Sequence, residues 1–166
     1  MWGGQKLVPA INKHIIMEIK YSADYPERTK REGAKRILNY NIRELTESEI
    51  KELWDKEENQ DTPYDYFASQ HKYAYNTLTV GGARWSYNNI VEAIIRDKYS
   101  ADEMEAITNN MNLVVSEFFS KLVSDGIVLA TKYLVDNFNS ENLTNFKEMQ
   151  EWRAMAKREA REIFKQ

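Results

Sequence analysis

Arg36-Ile37-Leu38-Asn39-Tyr40-Asn41-Ile42-Arg43-Glu44-Leu45-Thr46-Glu47-Ser48-Glu49 contains both a strand pattern and a helix start. Leu38, Tyr40 and Ile42 fall on one side of an extended chain, because side chains alternate across a strand. Thr46 and Glu49 then form a capping box: the threonine hydroxyl can accept from the backbone N–H three residues on, while the glutamate reaches back to the cap. A strand that hands over to a helix within one short segment points to an α+β fold. The expectation is small antiparallel β hairpins in the N-terminal half and a helical C-terminal half.

Working outward, His14 to Tyr21 is β-rich and alternates towards its end, and it is expected to pair antiparallel with Arg36–Leu45 across a basic loop containing Pro26 and Gly33. After the capping box, Ile50, Leu53 and Trp54 recur at helical spacing. Thr62-Pro63-Tyr64-Asp65 is a second helix start, since proline at the first helical position gives up only an N–H that would be unpaired anyway. A helix is predicted over 63–75, with a strand as the competing reading because the segment is aromatic. Thr77-Leu78-Thr79-Val80-Gly81-Gly82-Ala83-Arg84-Trp85-Ser86-Tyr87 looks like a hairpin whose Gly-Gly turn supplies positive φ angles. It lacks the further glycines and lysine of a phosphate loop. From Asn88 onward the pattern is helical. Ile90, Val91, Ile94 and Ile95 form one stripe, and Ser100-Ala101-Asp102-Glu103 is another capping box, followed by Met104, Ile107 and Met111. Leu113, Val114, Phe118 and Leu122 continue inward, as do Val128, Leu129, Tyr133 and Leu134 past Gly126. Ser140 or Thr144 caps a last amphipathic helix.

The 166 residues suit one domain of ordinary size, and a chain with 4 Trp, 10 Tyr and 6 Phe is too aromatic to stay disordered. Residues 17–166 are expected to form that single domain, with 1–16 as an extension ahead of Met17. With no cysteine there is no disulfide framework, thiol nucleophile or Cys-ligated metal, which fits a cytosolic setting. The most apolar stretch, Leu113 to Val135, is broken by Glu117, Lys121, Asp125 and Lys132, so no spanning helix is expected, and the N-terminus has no secretory signal pattern.

The net charge of −3 is zoned. Residues 1–46 carry 9 basic and 5 acidic groups, 47–110 carry 6 and 13, and 111–166 carry 8 of each. Arg28, Lys30, Arg31, Lys35 and Arg36 concentrate the positive charge around Gly33. They are either a solvated loop or a contact for phosphates or an acidic partner. A helix-turn-helix reading of 88–110 is disfavoured, because the second helix would present Asp102, Glu103 and Glu105 to the groove. Arg84, Trp85 and Tyr87 could offer a stacking surface, with core packing the preferred reading. His14 and His71 stand alone, without the convergent ligands zinc requires. Acidic pairs such as Asp102 with Glu103 suit helix first turns. No catalytic residue, metal ligand or cofactor is assigned.

Tyr87 to Asn110, with Ile90-Val91, Ile94-Ile95-Arg96, Lys98-Tyr99-Ser100 and Ala106-Ile107-Thr108-Asn109-Asn110, is followed later by Phe146-Lys147-Glu148-Met149-Gln150-Glu151-Trp152-Arg153-Ala154-Met155-Ala156-Lys157. This second half is similar to short uncharacterised proteins of phages and prophages of gut Bacteroidetes, departing from them in a longer apolar stretch, Asn112 to Asn139. The resemblance implies a viral context and supplies no activity. The expected function is a non-enzymatic phage protein acting through protein–protein contacts, as a virion component or assembly factor, in the host cytoplasm or the particle. Its partners would be other phage proteins or a second copy of itself, with Trp2, Trp152 and Phe164 as interface anchors. The alternative is a nucleic-acid-associated or host-takeover regulator that uses the five basic residues, with binding that weakens steeply in salt.

Overall fold

The structure is a computed structural model in which residues 17–56, 59, 61–137 and 140–165 are described. Trp2, His14 and the proposed extension 1–16 lie outside the described residues. The fold is α+β. Its elements are β1 (Ile19–Ser22), β2 (Thr29–Glu32), β3 (Lys35–Glu44), α1 (Glu47–Trp54), α2 (Tyr64–Gln70), β4 (Tyr73–Gly81), a 3₁₀ turn (Gly82–Arg84), α3 (Tyr87–Lys98), α4 (Ala101–Ser124), α5 (Ile127–Asn137) and α6 (Glu141–Phe164). The four strands form one antiparallel sheet in the order β1-β4-β3-β2.

Three local expectations are corrected. First, the basic segment is itself strand β2, and it pairs with β3 through a two-residue turn at Gly33-Ala34. Gly33, at φ +61°, occupies the first turn position, where a right-twisting hairpin favours glycine. Strand β1 therefore pairs with β4 and not with β3. Second, Gly81-Gly82 is no hairpin turn. Gly81 keeps an extended backbone at φ −63°, ψ 139°, and the chain then turns through 3₁₀ geometry into α3. Glycine at 82 serves close approach instead: its N–H donates to the Ala34 carbonyl at 2.8 Å, and a Cβ there would sit 2.9 Å from that oxygen. Third, the helix predicted over 63–75 stops at Gln70, and Tyr73 begins β4. The competing strand reading holds for this second half, where Ala74, Asn76 and Val80 are buried on alternate positions.

Both capping boxes form as read. Thr46 and Ser100 each accept from the N3 backbone, and Glu49 and Glu103 return the bond. Between β3 and β4 the register shifts at Tyr40/Arg43, and Asn41 takes φ +53°, a conformation asparagine tolerates better than most residues.

The described chain falls into two compact units. The sheet unit comprises residues 17–97 and 155–165. Leu38, Tyr40, Ala74 and Val80 from the sheet, Ile90, Ile94 and Ile95 from α3, and Met155, Ala156, Ala160 and Ile163 from α6 supply its buried apolar side chains. Each large one contributes roughly 1.5–3 kcal/mol by leaving water. The helical unit comprises residues 98–154. Tyr99, Ile107 and Met149 form its core cluster, with Met104, Phe146 and Trp152 packed against it.

Candidate interaction surface

The helical unit carries its least expected feature on α4 and α5. Two apolar stripes run one residue apart along α4, each at four-residue steps. Val114, Phe118 and Leu122 make the inner stripe, where Val114 is buried and the other two are half-buried. Val115, Phe119 and Val123 make the outer one and face solvent, with Val123 at 88% exposure. Gly126, at φ +81°, ends the turn, and α5 then exposes Ile127, Val128, Leu129, Leu134 and Val135, with Val128 at 77%. Val128, Leu129 and Leu134 were expected inward with the rest of the apolar run, and all three are exposed. The residue of α5 that is buried is Ala130, whose small side chain allows close approach. The Tyr133 hydroxyl donates to Glu117 Oε2 at 2.5 Å, and Lys121 Nζ lies 5.4 Å from the Tyr133 ring, so polar contacts hold α5 against α4 while its valines point away. Partial burial, together with the Glu117 carboxylate, pushes the Tyr133 hydroxyl up to about 12. These exposed side chains do not all share one direction: at 3.6 residues per turn Val128 and Val135 lie on the side of α5 away from Ala130 and Tyr133, and Leu129 sits about 100° round from Val128.

The five basic residues do not make one surface. Arg31 and Arg36 lie directly opposite each other on the strand positions that share a face with buried Leu38, whereas Lys30 and Lys35 occupy the alternate positions. Arg28 leaves the cluster altogether: its Nη1 donates to Glu159 Oε2 on α6 at 2.6 Å, with side-chain exposures of 23% and 8%. Burial would lower the Arg28 pKa, but the hydrogen bond and charge of Glu159 outweigh it and hold the value above its usual one. The Arg36 guanidinium sits 4.7 Å from the centre of the Trp85 ring, which in turn lies 6.2 Å from Phe164. Arg31 Nε donates to the Gly33 carbonyl, and Lys30 pairs with Glu32 at 3.5 Å.

Of the aromatic anchors read from the sequence, Trp152 is half-buried on the Tyr99 cluster, with Lys98 Nζ 4.8 Å from its ring. Phe164 is 43% exposed beside Trp85. An open cleft of about 650 Å³ runs between the end of β4 and α3, lined by Thr79, Arg84, Asn89, Glu92 and Arg96, in which Glu92 takes Arg96 at 2.8 Å. Within the sheet unit, the Tyr40 hydroxyl donates to the Asp97 carboxylate, and burial followed by that bond raises the Tyr40 pKa far above its usual value. His71 stacks on Phe67 at 3.8 Å, with Nδ1 2.8 Å from the Phe67 carbonyl, which is a packing role. Among the described residues, no group of three or more His, Asp or Glu converges as a metal site, and no helix is long and apolar enough to cross a membrane.

The surface that sequence reasoning missed is the α4–α5 face. Its signal was the second apolar stripe of α4, one residue on from the first, which widens the apolar side of the helix beyond what Val114, Phe118 and Leu122 cover. Comparison of the chain with protein families, curated proteins and solved structures finds no match.

Proposed function

We propose that this protein works through protein–protein contacts, as a phage virion component or an assembly factor, and that α4 and α5 provide the contact. The exposed apolar side chains of α4 and α5, among them Phe119, Val123 and Val128, are the observation that carries this reading. The phage setting rests on the similarity of the second half to short proteins of Bacteroidetes phages and prophages. The five basic residues, divided over two sides of a strand pair and partly engaged in internal pairs, offer a regulator of nucleic acid a fragmented footprint. Mass spectrometry of purified virions and of assembly intermediates, with light scattering on the purified chain, tests the proposal. A stable place in particles or their precursors is expected. A strict monomer absent from both, or nucleic-acid binding with a steep salt dependence that disappears when Lys30, Arg31 and Lys35 are replaced by Ala, would overturn it.

A further inference from the structure

We infer that the open edge of β4, from Thr77 to Gly81, takes up an extended acidic segment of a partner protein as an added strand, in the cleft between β4 and α3. The site lies in the sheet unit and stands independently of the contact proposed for α4 and α5. Strand β1 is four residues long and reaches only to Asn76, so beyond that point β4 is paired on one side alone, by β3. Two hydrogen bonds fix which way the backbone groups point. Gly82 N–H donates to the Ala34 carbonyl and Asn39 N–H to the Arg28 carbonyl, which turns Asn76, Leu78 and Val80 towards β3 and Thr77, Thr79 and Gly81 away from it. Thr79 and Gly81 are exposed, and among the described residues their N–H and C=O groups have no backbone partner. Open edges are ordinarily blunted by a charge, a proline or a bulge. Strand β2, at the other end of the sheet, is charged at three of its four positions, whereas Thr77-Leu78-Thr79-Val80-Gly81 has none of these devices.

The chemistry of the edge selects its occupant. A phosphate accepts from an N–H but is repelled by the carbonyl beside it, whereas another extended main chain matches donors and acceptors together. The cleft gives such a chain its room. It holds about 650 Å³, with the β4 edge on one side and, on the other, Asn89, Ala93 and Arg96, which share one side of α3 at steps of four and three residues. Charge then selects the segment. Arg84, in the turn that follows β4, is exposed and makes no ion pair with a described residue, and Arg96 engages Glu92 through Nε at 2.8 Å. Two guanidinium groups against one carboxylate leave an excess of donors suited to aspartate or glutamate side chains, which arginine meets with two parallel hydrogen bonds.

Nuclear magnetic resonance of the full chain tests the inference, with a blocked pentapeptide of alternating valine and glutamate as probe and its lysine counterpart as control. In the free chain the Thr79 and Gly81 amides should exchange rapidly with solvent. The glutamate peptide should shift and protect both, and should bind about tenfold more tightly than the lysine peptide. Gly81→Pro removes one edge donor at a backbone angle proline accepts, φ −63°, where a Cβ meets nothing within 4 Å, so the fold should be kept while peptide affinity falls about fivefold. Arg84→Ala should weaken the glutamate peptide about tenfold and leave the melting temperature unchanged. Slow exchange of Thr79 and Gly81 in the free chain overturns the inference, because a second copy or the chain itself then fills the edge. Binding that survives both substitutions, equal affinity for the two peptides, or no shift at either amide in millimolar glutamate peptide overturns it as well.

Discussion

Replacing Arg28 by Met removes the cation from a pair whose carboxylate, on Glu159, has a side chain only 8% exposed. Breaking a fully buried pair costs about 3–5 kcal/mol, because the remaining charge is left desolvated. Arg28 is 23% exposed, so water can reach part of the vacated space and the expected loss is about 2–3 kcal/mol. For a chain of this size that lowers the melting temperature by roughly 5–10 °C. Glu159→Met leaves the more exposed partner unpaired and should cost about 1 kcal/mol or less. The double variant, apolar on both sides, should lie within about 1 kcal/mol of wild type. Urea unfolding of the four proteins, followed by circular dichroism, therefore gives a coupling energy of about 2 kcal/mol. Additive single effects, or an Arg28→Met loss below about 0.5 kcal/mol, would refute the account and return Arg28 to the pool of solvated cations.

Other consequences can be checked by the same unfolding measurements. Gly82→Ala should destabilise by about 1–3 kcal/mol, since its Cβ meets the Ala34 carbonyl at 2.9 Å, whereas Gly81→Ala, with open space and φ −63°, should be neutral or slightly stabilising. Ser100→Ala removes one half of the capping box that starts α4 and should cost about 1 kcal/mol. Stability should fall as pH rises above about 10, because unfolding returns Tyr40 from its raised value to its ordinary one and releases its proton. Tyr40→Phe should flatten that alkaline decline, and an unchanged slope would show that Tyr40 does not cause it.

Much of the fold is legible in local chemistry. The capping boxes at Thr46 and Ser100 name their own helix starts because both partners lie within three residues of each other, and the stripe Ile90-Ile94-Ile95 places its face without outside help. The sheet was harder to read, because its decisive contacts are distant in sequence. Gly82 is a glycine for the sake of Ala34, forty-eight positions away, and nothing beside it distinguishes that need from the positive φ of a turn. Ala74 and Tyr75 continue the helical spacing from Phe67 as well as they fit a strand, until β1 and β3 pair on either side of them. The basic run around Gly33 was read by its charge, because Thr29-Lys30-Arg31-Glu32 is polar at every position and becomes a strand through its pairing with β3. At the candidate surface, hydrophobicity alone does not say whether a side chain meets its own chain or another one. Val114 and Val115 are adjacent and chemically identical, yet one is 4% exposed and the other 38%.

The contact proposed for this protein lies on the exposed apolar side chains of α4 and α5. Quantitative mass spectrometry of particles and assembly intermediates, produced with wild type or with Val128→Asp, tests it most directly. Wild type should be incorporated, and Val128→Asp should be lost from both fractions while remaining folded and abundant in the cell. Equal incorporation of the two proteins, or absence of both, would contradict it.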